Sequence, residues 1–147
     1  MRKTYYASAG LTLDYDQGQK TAYAVWNGFL NSQEFKEATL KCLQLMEEEG
    51  VVRWLADNRK MKAIRQADQH WFVENIMPRM LQSTLRRMAT LVSEDMFNKM
   101  AVDQIMQRIE QPDHLVLRDF NDEAQALAWL MMPLTEQGQR NSKESNG

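Results

Sequence analysis

The segment Val51-Val52-Arg53-Trp54-Leu55-Ala56-Asp57-Asn58-Arg59 constrains this chain most, because an apolar run of strand length opens there directly onto charged residues. Central strands of parallel sheets read as near-continuous apolar runs, and their carboxyl ends commonly place functional groups at the starts of helices. Just beyond, Ile64, Ala67, Trp71 and Phe72 recur at helical spacing. A central strand over Val51 to Ala56, with Trp54 in the core, therefore feeds a helix. With 147 residues, the chain has the length of one domain with a real core.

The hydrophobic period switches along the chain in a readable order. Leu11, Leu13 and Tyr15 alternate with Thr12, Asp14 and Asp16, as in a half-buried strand, and Asp16-Gln17-Gly18-Gln19 supplies turn residues. Thr21 to Trp26 is the hairpin partner, with Ala22, Ala24 and Trp26 on one face, and Thr4 to Ala7 is a candidate short first strand. After Asn27-Gly28, Asn31 or Ser32 caps a helix whose Phe35, Ala38, Cys42, Leu45 and Met46 form one stripe, and Gly50 ends it. Glu47, Glu48 and Glu49 sit at its C-terminus, where the macrodipole disfavours negative charge by roughly a few tenths of a kcal/mol each. Nothing in the sequence accounts for them.

Pro78 divides the next helical segment into two shorter pieces, the second ending near Leu85. Met88 to Val92 is continuously apolar, which suits a strand buried on both faces, and Ser93 with Glu94 and Asp95 reads as a cap. The following helix presents Phe97, Met100, Ala101, Ile105 and Ile109, and Pro112-Asp113 closes it before a strand from Leu115 to Phe120. Asn121 or Asp122 caps a last helix with Leu127, Leu130 and Met131. From Thr135 onward no aliphatic or aromatic residue occurs, so the domain is expected over residues 1–134 with a disordered tail over 135–147. The order predicts an α/β sandwich with about four helices, its central sheet mixed but mostly parallel after a leading antiparallel meander.

Arg53-Trp54-Leu55-Ala56-Asp57-Asn58-Arg59, the helix with Asp68 and Trp71, Pro78, Arg87 to Val92, and Phe120 to Leu130 together resemble the SpoIIAA-like family. The resemblance spans nearly the whole domain and implies the STAS fold, named for sulfate transporters and anti-sigma-factor antagonists and often grouped with CRAL-TRIO lipid-binding domains. Its motifs are core aromatics and strand ends, which specify fold far better than activity. In the antagonists a serine at the start of the helix after a central strand is phosphorylated, and its charge blocks the partner surface. Here Asp57 to Ile64 contains neither Ser nor Thr, and the next hydroxyl is Ser83, so that switch is not expected.

The region offers Asp57, Asn58, Arg59, Lys60, Lys62 and Arg65 instead, an interaction loop for an anion or acidic partner at a helix N-terminus, or simply a solvated charged loop. Other chemistry is thinly supported. Net charge is only −2, so no whole-molecule field draws nucleic acid. Cys42 is the sole cysteine and lies on an apolar stripe, which suits a buried core thiol and a reducing, cytoplasmic setting. His70 and Glu74, four apart, read as a surface ion pair, His114 as a loop residue, and no zinc or phosphate-loop motif occurs, so no metal and no cofactor is expected. Neither an export signal nor a membrane span is visible.

Four tryptophans and eleven methionines make the apolar inventory bulky and adaptable, as ordinary core or as a pocket lining. Trp54, Met61, Trp71, Met77 and Met80 are the candidates for an apolar pocket or a homodimer surface. The sequence thus predicts a noncatalytic regulatory or protein-interaction module, homodimeric through apolar residues near the second helix. Binding of a small apolar or lipid-like ligand is the alternative.

Overall fold

A computed structural model describes residues 1–134; the tail expected over 135–147 lies outside the described residues. The strands β1 (Arg2–Ala7), β2 (Leu11–Asp16), β3 (Thr21–Gly28), β4 (Arg53–Met61), β5 (Arg87–Leu91) and β6 (Val116–Phe120) form one sheet in sequence order. The first three are antiparallel and the last four run parallel, so the mixed sheet read from the sequence is present. Between them lie α1 (Ser32–Glu49), α2 (Gln66–Asn75), α3 (Met77–Leu81) and α4 (Met96–Met106), and α5 (Glu123–Leu130) follows β6. The described residues hold five helices because Pro78 starts α3 as a separate piece.

Each parallel crossover steps one strand in the same direction. Right-handed crossovers taken repeatedly in one direction deposit their helices on one face of the sheet. Accordingly α1 to α4 share a face whose core holds Ala22, Ala24, Trp26, Trp54, Ala56 and Met88. The other face is left to α5, whose Ala126, Trp129 and Leu130 pack on Tyr23, Leu55, Ala89, Leu91 and Val116. The alternation read in β3 holds, although Val25 at 38% exposure shows that α5 covers its face only in part.

The ends of α1 follow local chemistry. Asn31 and Glu34 form a reciprocal capping box, Glu34 N–H donating to Asn31 Oδ1 at 2.8 Å and Asn31 N–H to Glu34 Oε1 at 2.9 Å. Gly50 closes the helix in the left-handed conformation, φ 61°. Two of the three glutamates before it, Glu47 and Glu48, find side-chain partners elsewhere in the fold, and at Glu49 it is the backbone carbonyl that accepts. Arg79 pairs with Glu47, Tyr5 donates to Glu48 at 3.2 Å, and Tyr15 donates to the Glu49 carbonyl at 3.3 Å.

Several boundaries differ from the reading of the sequence. β4 begins at Arg53 and runs to Met61, so Asp57 to Met61 is strand and not loop. Pairing across the sheet imposes this, with Asn27 opposite Lys60 and Gly28 opposite Met61. Asp95, not Ser93, caps α4, its Oδ1 accepting from Phe97 and Asn98 N–H, while the Ser93 hydroxyl accepts from Asp95 N–H at 3.0 Å. Phe97 and Met100 do not face the core; they are 70% and 51% exposed, beside Met96 at 72%.

Candidate functional site

The carboxyl end of β4 was the place the sequence marked. A register shift between Val25 and Asn27 marks a bulge there, and Asp57 and Arg59 meet beside it. Arg59 Nε and Nη2 donate to Asp57 Oδ1 and Oδ2 at 2.9 and 2.8 Å, and Arg59 Nη2 also lies 3.7 Å from Glu123 Oε1 in the first turn of α5. The guanidinium hydrogen bonds hold the Asp57 carboxyl below its usual range, and in turn the carboxylate raises Arg59.

The remaining basic residues do not converge on one anion. Lys62 Nζ lies 3.8 Å from Asp95 Oδ2, Arg65 stacks over the Phe29 ring at 5.2 Å, and Lys60 points out as an exposed strand residue. Arg65 is the N-cap of α2 and makes no side-chain capping bond. Because Asp57 to Met61 is strand and α2 starts only at Gln66, the expected loop at a helix N-terminus is corrected to a strand end with local ion pairs.

Asn58, between Asp57 and Arg59, points to the opposite side of the sheet and lines an apolar cavity of about 110 Å³. Trp26, Trp54, Met61 and Met88 form its floor on the strands. From the helical layer come Phe35, Cys42 and Met46 of α1, Phe72 of α2, Met80 of α3, and Val102, Ile105 and Met106 of α4. Phe35 is central to one wall, with its ring centroid 6.5 Å from Trp26 and 6.2 Å from Phe72. Large rigid aromatics set against a small Ala56 leave a gap that flexible methionines border and do not fill. Cys42 is the lining's one titratable group, and burial pushes its thiol far above the ordinary value.

Of the apolar candidates, Trp54, Met61 and Met80 line this cavity. Met77 is buried in the same core cluster without lining it, and Trp71 is half-buried against the core with Lys36 Nζ 5.5 Å from its ring. The expectation of a dimer surface built on this set is corrected, since Trp54, Met61, Met77 and Met80 are each 3–4% exposed and serve as interior. Trp26, Phe35, Phe72 and the α4 residues of the lining were legible only as helix or strand core, because nothing local distinguishes a cavity wall from a filled interior. His70 also departs from the expected pairing with Glu74: its Nδ1 lies 3.1 Å from Arg108 Nη1.

A three-layer α/β domain with a sequentially ordered mixed sheet and a small apolar cavity between sheet and helices is the class these elements define. A family model described as SpoIIAA-like matches residues 21–131, and the chain belongs to that family. Its sheet and helices accord with the STAS fold, and the SpoIIAA-like domain places it among regulatory and interaction modules. No curated protein and no solved structure gives a significant match. Among the described residues no helix is long and apolar enough to cross a membrane.

Proposed function

We propose that this chain is a noncatalytic regulatory module that binds a small apolar ligand inside the domain. The cavity of about 110 Å³ carries this reading. Engineered apolar cavities of about 150 Å³ bind benzene, so the space suits a body of roughly that size and falls short of the ~300 Å³ at which drug-sized pockets begin. Membership of a family of regulatory and interaction modules supports the noncatalytic part; the cavity's thiol, Cys42, is deeply buried and neutral, and so a poor nucleophile.

Titration with benzene, read as a rise in thermal midpoint, tests the reading; saturation to about 100 times Kd should stabilise the fold by about 2.7 kcal/mol. Ala56→Phe, which fills the space from β4, should stay folded by circular dichroism and lose the response. An unresponsive wild-type midpoint would sink the proposal.

Homodimerisation, the second reading, moves from the buried methionines to α4. Met96, Phe97 and Met100 present a large exposed apolar surface on one helix end, of the kind that marks association. Sedimentation should give a dimer that Phe97→Asp with Met100→Lys converts to monomer; a monomeric wild-type protein at tens of micromolar would exclude it.

A further inference from the structure

The apolar chamber has one polar end. At the carboxyl ends of β4, β5 and β6, beneath α4, lies a second cavity of about 10 Å³, close to the room one water needs. Asn58, Thr90 and Val102 line both spaces, so the polar cavity adjoins the apolar chamber directly. Its remaining polar walls are Ser93, Asn98, Lys99, Asp103 and Asp119.

Asn98 decides what this end recognises. It is 0% exposed, and its Nδ2 donates to the Lys62 carbonyl at 2.8 Å. Its Oδ1 has no hydrogen-bond partner among the described residues. A buried amide oxygen without a donor is costly, and a ligand that brings a donor recovers that cost. The Ser93 hydroxyl does not serve, since it donates to the Met61 carbonyl at 2.8 Å. Charge favours the same kind of ligand. Lys99 Nζ is held by Asp103 Oδ2 at 3.0 Å, while Asp119 at the solvent-reached rim has no ion-pair partner among the described residues. An incoming carboxylate would meet an acceptor oxygen and net negative charge.

We infer that the ligand is a small amphiphile whose head donates a hydrogen bond, an alcohol or primary amine, seated with its apolar body in the chamber and its head on Asn98 Oδ1. The inference rests on the apolar-ligand reading and adds the polarity of the head. The Asp119 carboxyl, raised above its usual range first by partial loss of solvent and then by Asp103 against the opposing effect of Lys99, matches a site that disfavours further negative charge.

Four probes with one ring separate the possibilities: benzene, benzyl alcohol, benzylamine and benzoate, titrated into the full chain at pH 7 by calorimetry. Alcohol and amine should bind at least about tenfold tighter than benzoate, the worth of one good hydrogen bond. Asn98→Leu should weaken benzyl alcohol about tenfold while benzene affinity stays within about twofold. Benzoate binding as tightly as the alcohol, or Asn98→Leu weakening benzene and alcohol equally, overturns the donor-head inference and leaves the apolar chamber standing. Failure of all four probes, benzene included, overturns the chamber reading and this inference with it. Should Asn98→Leu not fold, the wild-type series still decides, and Asp119→Asn at the exposed rim should lower the amine-to-alcohol affinity ratio by about threefold or more; an unchanged ratio there counts against the head site.

Discussion

The two faces of one sheet are covered in opposite ways. On the α5 face a single eight-residue helix closes a compact cluster. Isolated helices of that length are marginal in water, and two arginines secure this one. The guanidinium of Arg87, 0% exposed, donates to the carbonyls of Trp129 at 3.1 Å, Met132 at 2.8 Å and Pro133 at 3.1 Å. Arg53 Nε adds a bond to the Leu130 carbonyl at 2.9 Å. These charge-assisted bonds satisfy the carbonyls a helix end leaves orphaned. On the opposite face four helices share the work, and their aromatic and methionine side chains meet around empty space. One face is fastened by polar chemistry at its edge and filled inside; the other is assembled from many apolar contacts and keeps room for a guest.

Breaking the fastening should have the largest effect. Arg87→Met strands the carbonyls after α5 and is expected to cost about 4 kcal/mol in urea denaturation. A loss under about 1 kcal/mol would mean that the apolar face of α5 suffices alone. The same substitution on the two faces then sharpens the contrast. Ala89 on β5 faces α5 and is 0% exposed, whereas Ala56 on β4 lines the cavity. Ala89→Phe should cost about 3 kcal/mol by overpacking, and Ala56→Phe under about 1 kcal/mol. Equal penalties would show that the two faces are packed alike.

The smallest effect belongs to the Asp57–Arg59 pair at the rim of the α5 face. Arg59 holds the Asp57 pKa down, so the stabilisation is present above the unfolded carboxyl value of about 3.9 and is lost as pH falls through the lower folded value. With the Arg59 side chain 39% exposed, solvent screening limits the effect. Asp57→Asn should therefore cost under about 1 kcal/mol at pH 7, and the gap from wild type should narrow as pH falls below the unfolded carboxyl value of about 3.9. A gap that does not change with pH would assign the loss to something other than the ion pair.

Much of the fold was legible because it depends on neighbours in the chain. The cap at Asn31 or Ser32, Gly50, the alternation of Leu11 to Tyr15, the break at Pro78 and the continuous run before Val92 all act over a few residues, and all have counterparts in the structure, with Asn31 the cap. The strand nature of Asp57 to Met61 was not legible, since those residues are charged and polar and become strand by pairing with β3. The same holds for Phe97 and Met100, whose helical spacing suits a core stripe although α4 turns them to solvent. The cavity was the least legible feature. Trp54, Met61 and Met80 were candidates by size and flexibility alone, and Asn98 carried no signal in the sequence at all.

By itself, then, the sequence determined the element order, the approximate helix ends and the mixed, mostly parallel sheet, because periodicity and turn chemistry are local. Only the tertiary structure decided that Glu47 and Glu48 find side-chain partners, that Arg59, Lys62 and Arg65 disperse into separate contacts, and that large side chains from three strands and four helices leave a space with an unpartnered amide oxygen in the polar recess beside it. Those outcomes depend on how shapes and charges distant in the chain fit together, which no local pattern encodes.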